Sequence, residues 1–183
     1  MAGSRLNIWD FDDTLVWSGK AFDKLSAQHP EIPRRDWWHD PNVSSLAAEI
    51  TEPIEGTWAR LGNTPGDHII LTGRVLAPVL AWLGWNATHP AVVEGIYKID
   101  DVVSTSGDGN WPVEGTAARK ALHVADLCDR YDEVHFYDDH PTNLQTVQGV
   151  CPKVRTHQIV DGHFVNRSGW TWRRKKGHTY PPT

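Results

Sequence analysis

The chain has 183 residues, of which 39% are hydrophobic and 22% charged, and a formal net charge of −5. That length suits one domain with a modest insertion and is enough to bury a proper core. The acidic balance excludes a protein that coats duplex DNA through global charge, while leaving room for a local basic groove.

There is no signal-peptide apolar region and no membrane-spanning run, so no membrane partner is expected. Only two cysteines, Cys128 and Cys151, are present. Without a Cys-x-x-Cys pair they indicate neither a disulfide framework nor a zinc site, and a cytoplasmic, reducing compartment is expected.

Residues 6–9 form an apolar run that reads as a short buried strand and delivers Asp10 and Asp12 where it ends. Residues 21–65 alternate short helical patterns with Pro30, Pro33, Pro41, Pro53, Gly56, Gly62 and Pro65. Helices are expected over residues 21–28, from Asn42 to a limit set by Pro53, and over residues 55–61. Together they make a small helical cap insertion, about residues 17–65, over the sheet's edge or mouth. The second strand, residues 68–71, ends in Thr72-Gly73-Arg74, and residues 75–83 read as a helix with Pro78 in its first turns, where proline is tolerated.

A third strand is expected within residues 91–99, and residues 104–110 form a loop by composition. Residues 116–130 are the clearest helix, with Ala117, Leu122, Val124, Ala125 and Leu127 as its apolar stripe. A fourth strand, residues 134–137, ends at Asp138-Asp139. A helix follows from Pro141 to about Gln148, and a fifth strand falls over residues 154–159. Strand and helix alternate, so the expected fold is α/β, a Rossmann-like parallel sheet flanked by helices. One α/β domain is expected over residues 1–165, followed by a basic, Trp-containing C-terminal tail over residues 166–183.

Parallel strands would gather Asp10/Asp12, Thr72/Arg74 and Asp138/Asp139 at one edge, where ligands bind in open α/β sheets. Alternation puts Asp10 and Asp12 on one side, where two carboxylates repel unless a cation lies between them or one keeps its proton. Carboxylates with no His or Cys among them make a hard, oxygen-rich site that suits Mg²⁺. A carboxylate there can attack phosphorus while a second acid moves the proton. The competing reading of each piece is ordinary: an Asp-rich turn, Thr72 as a helix cap, Lys120 as a solvated helical lysine, Asn143 as a solvated helix residue.

Asp10-Phe11-Asp12-Asp13-Thr14-Leu15 resembles the first motif of the haloacid dehalogenase (HAD) superfamily. Ile70-Leu71-Thr72-Gly73-Arg74, Thr116-Ala117-Ala118-Arg119-Lys120 and Tyr137-Asp138-Asp139 resemble its second, third and fourth motifs, in the required order. The resemblance implies a HAD-like core and an aspartyl-phosphate mechanism with Asp10 as nucleophile and Asp12 as general acid/base. Thr72, with Gly73 and Arg74, would hold the phosphoryl group. Lys120 would balance the charge, with Lys98 and Arg119 as alternative candidates. Mg²⁺ would sit on Asp10, Asp12 and the Asp138/Asp139 pair, the backbone carbonyl of Asp12 contributing, with Asn143 as a supporting partner. Because Asp12 is present two residues after Asp10, phosphoryl transfer is favoured over dehalogenation.

The Thr-Gly-Arg sequence, the Tyr-Asp-Asp-His ending and the Trp37-Trp38 insertion are similar to the branch of polynucleotide 3′-phosphatases and RNA-repair-like phosphatases. Trp17, Trp37 and Trp38 lie in segments expected to flank the site, where bases could stack on them; core burial is the competing fate of Trp37 and Trp38. The tail interleaves Trp170 and Trp172 with Arg173, Arg174, Lys175 and Lys176, as a backbone-tracking element would, a solvated tail being the alternative. The leading expectation is removal of a terminal 3′-phosphate from a nucleic acid. The runner-up is a phosphatase of nucleotides or sugar phosphates, and the third reading is a catalytically silent HAD-like binding module. The oligomeric state is not readable from the sequence.

Overall fold

The computed structural model describes residues 4–33, 41–106 and 114–165. The strand that precedes the first acids is the middle of the sheet. This strand, β1 (Arg5–Trp9), pairs in parallel with β2 (Asp67–Thr72) on one side and with β4 (Glu133–Asp138) on the other. Beyond β2 lies β3 (Ile99–Ser104); beyond β4 lies β5 (Arg155–Val160), and the antiparallel β6 (His163–Phe164) closes that edge. The order is β3-β2-β1-β4-β5-β6.

Among the described residues, three helices separate β1 from β2: α1 (Ser18–Gln28), α2 (Pro41–Glu49) and α3 (Glu55–Asn63). Between β2 and β3 come α4 (Leu76–Trp85) and the single turn α5 (Val93–Ile96). The crossovers to β4 and β5 are α6 (Thr116–Cys128) and α7 (Pro141–Val150). In α4, Pro78 falls in the first turn, where backbone N–H groups have no intrahelical acceptor, so its missing donor costs nothing.

Alternation along the strands divides the core. Leu6, Ile8, Ile69, Leu71, Val134 and Phe136 face α6 and α7 through Ala121, Val124, Leu144 and Val147. Trp9, Ile70, Tyr137 and Ile159 face the other way, onto Trp58, Leu61, Val79 and Trp82. Fully burying each large apolar side chain contributes roughly 1.5–3 kcal/mol, so both faces carry weight and β1 reads as a buried parallel strand. On the second face an aromatic ladder crosses three strands. Trp9 stacks on Tyr137 at 3.8 Å between ring centroids, and Tyr137 on His157 at 4.4 Å.

Two expectations need correction, and one strand falls outside them all. The third strand is not within residues 91–99: the chain turns through α5 and pairs only from Ile99, opposite His68, running to Ser104. Gly95 permits this, because a Cβ there would lie 2.8 Å from Cε3 of Trp58. Asp161 and Gly162, at φ of 51° and 76°, make a tight turn that adds the unexpected strand, β6, too short to show as a pattern. Contrary to expectation, Cys128 and Cys151 form a disulfide, their Cα atoms 6.3 Å apart, since packing α6 against α7 brings the ends of both helices together.

Trp37, Trp38, the 166–183 tail and residues 107–110 of the expected loop lie outside the described residues. Among the described residues, no helix is long and apolar enough to cross a membrane.

Candidate active site

The parallel register sets the site. Trp9 lies opposite both Ile70 and Tyr137, so the next residues, Asp10, Leu71 and Asp138, share the carboxyl edge of the sheet. The N–H of Asp10 still donates to the carbonyl of Tyr137 at 2.8 Å, which fixes the first acid to the neighbouring strand. After Asp10 the chain curls sharply: the N–H groups of Leu15 and Val16 both reach the carbonyl of Phe11, at 2.9 and 3.1 Å. Asp13, at φ 53°, turns its carboxylate away to accept from the N–H of Gly19 at 2.9 Å, at the start of α1.

The side chains sort into two adjoining clusters. In the first, Lys120, 1% exposed on the inner face of α6, donates to Asp10 Oδ1 at 2.6 Å and to Asp138 Oδ2 at 2.8 Å. Asn143 of α7 donates through Nδ2 to both Asp138 oxygens at 3.0 Å, and the N–H of His140 adds a bond of 2.8 Å to Oδ1. Carboxylate oxygens of Asp10, Asp138 and Asp139 lie within 4.8 Å of one another. Neither alternative cation enters this cluster: Lys98 donates to the carbonyl of Gly62, and Arg119 to that of Thr105 at 2.9 Å.

In the second cluster the buried Arg74 contacts Asp12 Oδ1 through Nη2. Ser18, the first residue of α1, donates to the same oxygen and accepts from Arg74 Nη2 at 3.1 Å. Thr72 Oγ1 lies 3.5 Å from Asp12 Oδ2 and accepts from the N–H of Arg74 at 3.0 Å. Gly73 lets α6 approach, since a Cβ there would lie 2.7 Å from Cγ2 of Thr116. The structure therefore groups Asp10, Lys120, Asp138 and Asp139, and separately Asp12, Thr72, Gly73 and Arg74. The Asp12 carboxylate is not one of the three clustered carboxylates.

Charge explains the first cluster. Burial pushes the Asp10 carboxyl well above its ordinary range; Lys120 pulls it down, and Asp138 and Asp12 push it up further. Burial also lifts Asp139 well above the ordinary range, with Asp138 and Asp10 adding to the effect. Burial alone would lower Lys120, but the fields of Asp10 and Asp138 override it and hold the ammonium above its ordinary value. Three acids against one ammonium leave negative charge in excess, and every donor is oxygen. The set fits a hard divalent cation such as Mg²⁺, which Asp10, Asp138 and Asp139 would hold.

Sequence reasoning missed Ser18. It lies six residues beyond Asp12 at a helix start, where a serine signals only a cap. The N–H of His140 was invisible for a simpler reason: it is a backbone group.

No protein-family model and no curated protein matches the chain. Solved structures do. A candidate phosphatase from Clostridium difficile matches with a TM-score of 0.56 at 11% identity, over 89% of this chain and 88% of that one. A hydrolase from Streptococcus pneumoniae TIGR4 matches with a TM-score of 0.53 at 17% identity, over 87% of this chain and 94% of that one. At these identities the likeness establishes a shared fold.

Proposed function

We propose that the chain is a Mg²⁺-dependent phosphomonoesterase of the haloacid dehalogenase type that removes a terminal 3′-phosphate from a nucleic acid. The observation that carries the reading is the buried Lys120 ammonium, bridging Asp10 and Asp138 beside Asp139 at the carboxyl edge of a parallel sheet. In this reading Asp10 attacks phosphorus, and the bond to the leaving oxygen breaks as Asp12 gives that oxygen a proton. Asp12 then takes a proton from the water that attacks the aspartyl-phosphate, releasing inorganic phosphate and restoring Asp10. Magnesium, when bound, would screen the acids and polarise a phosphoryl oxygen. Asp138 is locked by Asn143 and His140, so its carboxylate cannot swing away, while Lys120 neutralises charge on Asp10. The Asp12 carboxylate is engaged by Arg74 and Ser18 through Oδ1, and the resemblance implies that its main-chain carbonyl would contribute to holding Mg²⁺.

The nucleic-acid substrate is supported by sequence features: the Thr72-Gly73-Arg74 and Tyr137-Asp138-Asp139-His140 sequences and the basic, Trp-containing tail. The small insertion supports it too. Its described helices have 11, 9 and 9 residues, too little for a large folded lid over a polymer end. The test is phosphate release, with and without Mg²⁺, from a 3′-phosphorylated oligonucleotide, its 5′-phosphorylated counterpart and free 3′- and 5′-mononucleotides. Fast metal-dependent release from the 3′ oligomer, abolished in Asp10→Asn, is the expected result. Preference for mononucleotides moves the function to small metabolites, and silence on all four ends the nucleotide reading.

A further inference from the structure

Thr-Gly-Arg invites the reading that Arg74 grips the substrate phosphate with a guanidinium fork. The geometry points elsewhere. We propose that Arg74 and Ser18 are positioning residues for Asp12: they fix Oδ1 and leave Oδ2 as the oxygen that carries the transferred proton. The inference rests on the phosphatase reading above and assigns Arg74 a different task within it.

Arg74 has no exposed surface. Its guanidinium lies 5.3 Å from the ring centroid of Phe22 and 5.8 Å from that of Phe11, so aromatic rings flank the cation. Its main chain is pinned as well: the carbonyl accepts from Ser104 Oγ at 2.6 Å, and the N–H donates to Thr72 Oγ1. A side chain held in this way cannot turn outward to meet a phosphate in the crevice. Of the two partners it is Asp12, its side chain 14% exposed, that meets solvent.

The hydrogen atoms then assign roles. Arg74 has only donors, so Ser18 Oγ must accept from it. The single hydroxyl hydrogen of Ser18 is thereby free to go to Asp12 Oδ1, the oxygen that Arg74 Nη2 also touches. Arg74, Ser18 and Asp12 close a three-membered ring in which Oδ1 receives two donors. Protonating Oδ1 would break that ring. Oδ2, whose neighbour is the hydroxyl of Thr72 at 3.5 Å, is the oxygen left for the proton in both half-reactions. In the first, the proton leaves Oδ2 for the departing alkoxide as the phosphorus–oxygen bond breaks. In the second, Oδ2 receives a proton from water as its oxygen bonds to phosphorus.

The experiment separates proton delivery from phosphate binding. Ser18→Ala, Arg74→Lys and Arg74→Gln are compared with wild type on an aryl phosphate, whose leaving group needs little proton help, and on an alkyl phosphate, which needs it fully. Thermal unfolding with Mg²⁺ and inorganic phosphate reports anion binding independently. Expected is a kcat loss of about tenfold in Ser18→Ala on the alkyl ester, larger in Arg74→Gln and milder in Arg74→Lys. The loss should be much smaller on the aryl ester, with KM and the phosphate-induced shift in Tm unchanged. Equal losses on both esters overturn the inference, and so does a phosphate-induced shift that disappears in Arg74→Gln. Ser18→Ala removes one atom and keeps the test open if the Arg74 variants do not fold. A wild type that hydrolyses neither ester overturns the phosphatase reading, and the inference with it.

Discussion

Lys120→Met keeps an unbranched stem in the core and removes the ammonium between Asp10 and Asp138. Asp138 retains its donors from Asn143 and His140, whereas Asp10 loses its Lys120 donor at 2.6 Å. Breaking a buried ion pair from one side costs about 3–5 kcal/mol, a large share of the roughly 5–15 kcal/mol that holds a domain together. The pH dependence identifies the cause. Burial raises Asp10 above its ordinary value, so its contribution to stability is present below that ordinary value and is lost as pH rises through the raised folded value. Lys120 limits that loss by pulling Asp10 down; in the variant the loss runs deeper and reaches higher pH. Lys120 itself is held above 10.5 and stays charged across this window. In urea titrations with EDTA, the gap between wild type and variant should be larger near about pH 8 than near about pH 4, because burial holds the Asp10 carboxyl protonated well above its ordinary range. Mg²⁺ added at about pH 8 should recover part of the variant's deficit, because a cation returns to the acids. A gap below about 1 kcal/mol at the higher pH would refute the reasoning, as would a gap equal at both pH values, which would indicate lost packing rather than exposed charge.

Asn143→Leu removes the donor to both Asp138 oxygens; unfolding should show a loss of about 1.5–3 kcal/mol, and a Mg²⁺ titration a 10- to 100-fold weaker affinity, on the order of other ligand-orienting partners. Gly73→Ala drives a Cβ into Thr116 and should cost about 1–3 kcal/mol. Adding Thr116→Ser, which deletes the clashing methyl group, should recover most of that cost, and strictly additive effects would count against the contact. Reducing the Cys128–Cys151 disulfide, which spans 23 residues, should lower stability by about 3 kcal/mol. A Cys128→Ser/Cys151→Ser protein should match the reduced wild type and ignore the reductant.

The edge that carries the acids was legible because two signals coincided there. Apolar runs marked the buried parallel strands, and polar residues stood at the end of each run: Asp10, Thr72, Asp138. β3 was misplaced because Asp100 and Asp101 interrupt its apolar run. Both are exposed on an edge strand, where charge guards an open side instead of breaking a buried ladder. The disulfide could not be read from two isolated cysteines, since only the packing of α6 on α7 brings them together. Arg74 shows the limit of motif reading. Its position after Thr72-Gly73 is a sequence fact, but its burial against Asp12 depends on Phe11, just after β1, and on Ser18 and Phe22 of α1, more than fifty residues earlier in the chain.

The strand order also dictates when the site comes into being. β1 is made before the other described strands, yet one of its two neighbours, β4, is 128 residues further along: Arg5 pairs with Glu133. Chains emerge N-terminal first and domains fold as units, and pairings across such separations form slowly. On a ribosome that has released β1, β2 and the helices between them, Asp10 has neither its lysine nor its partner acid. On the proposed reading, affinity for Mg²⁺ would arrive only after residues 120–139 are made, and it would mark completed folding. Refolding followed by Mg²⁺ binding and refolding followed by helix content should run on different clocks.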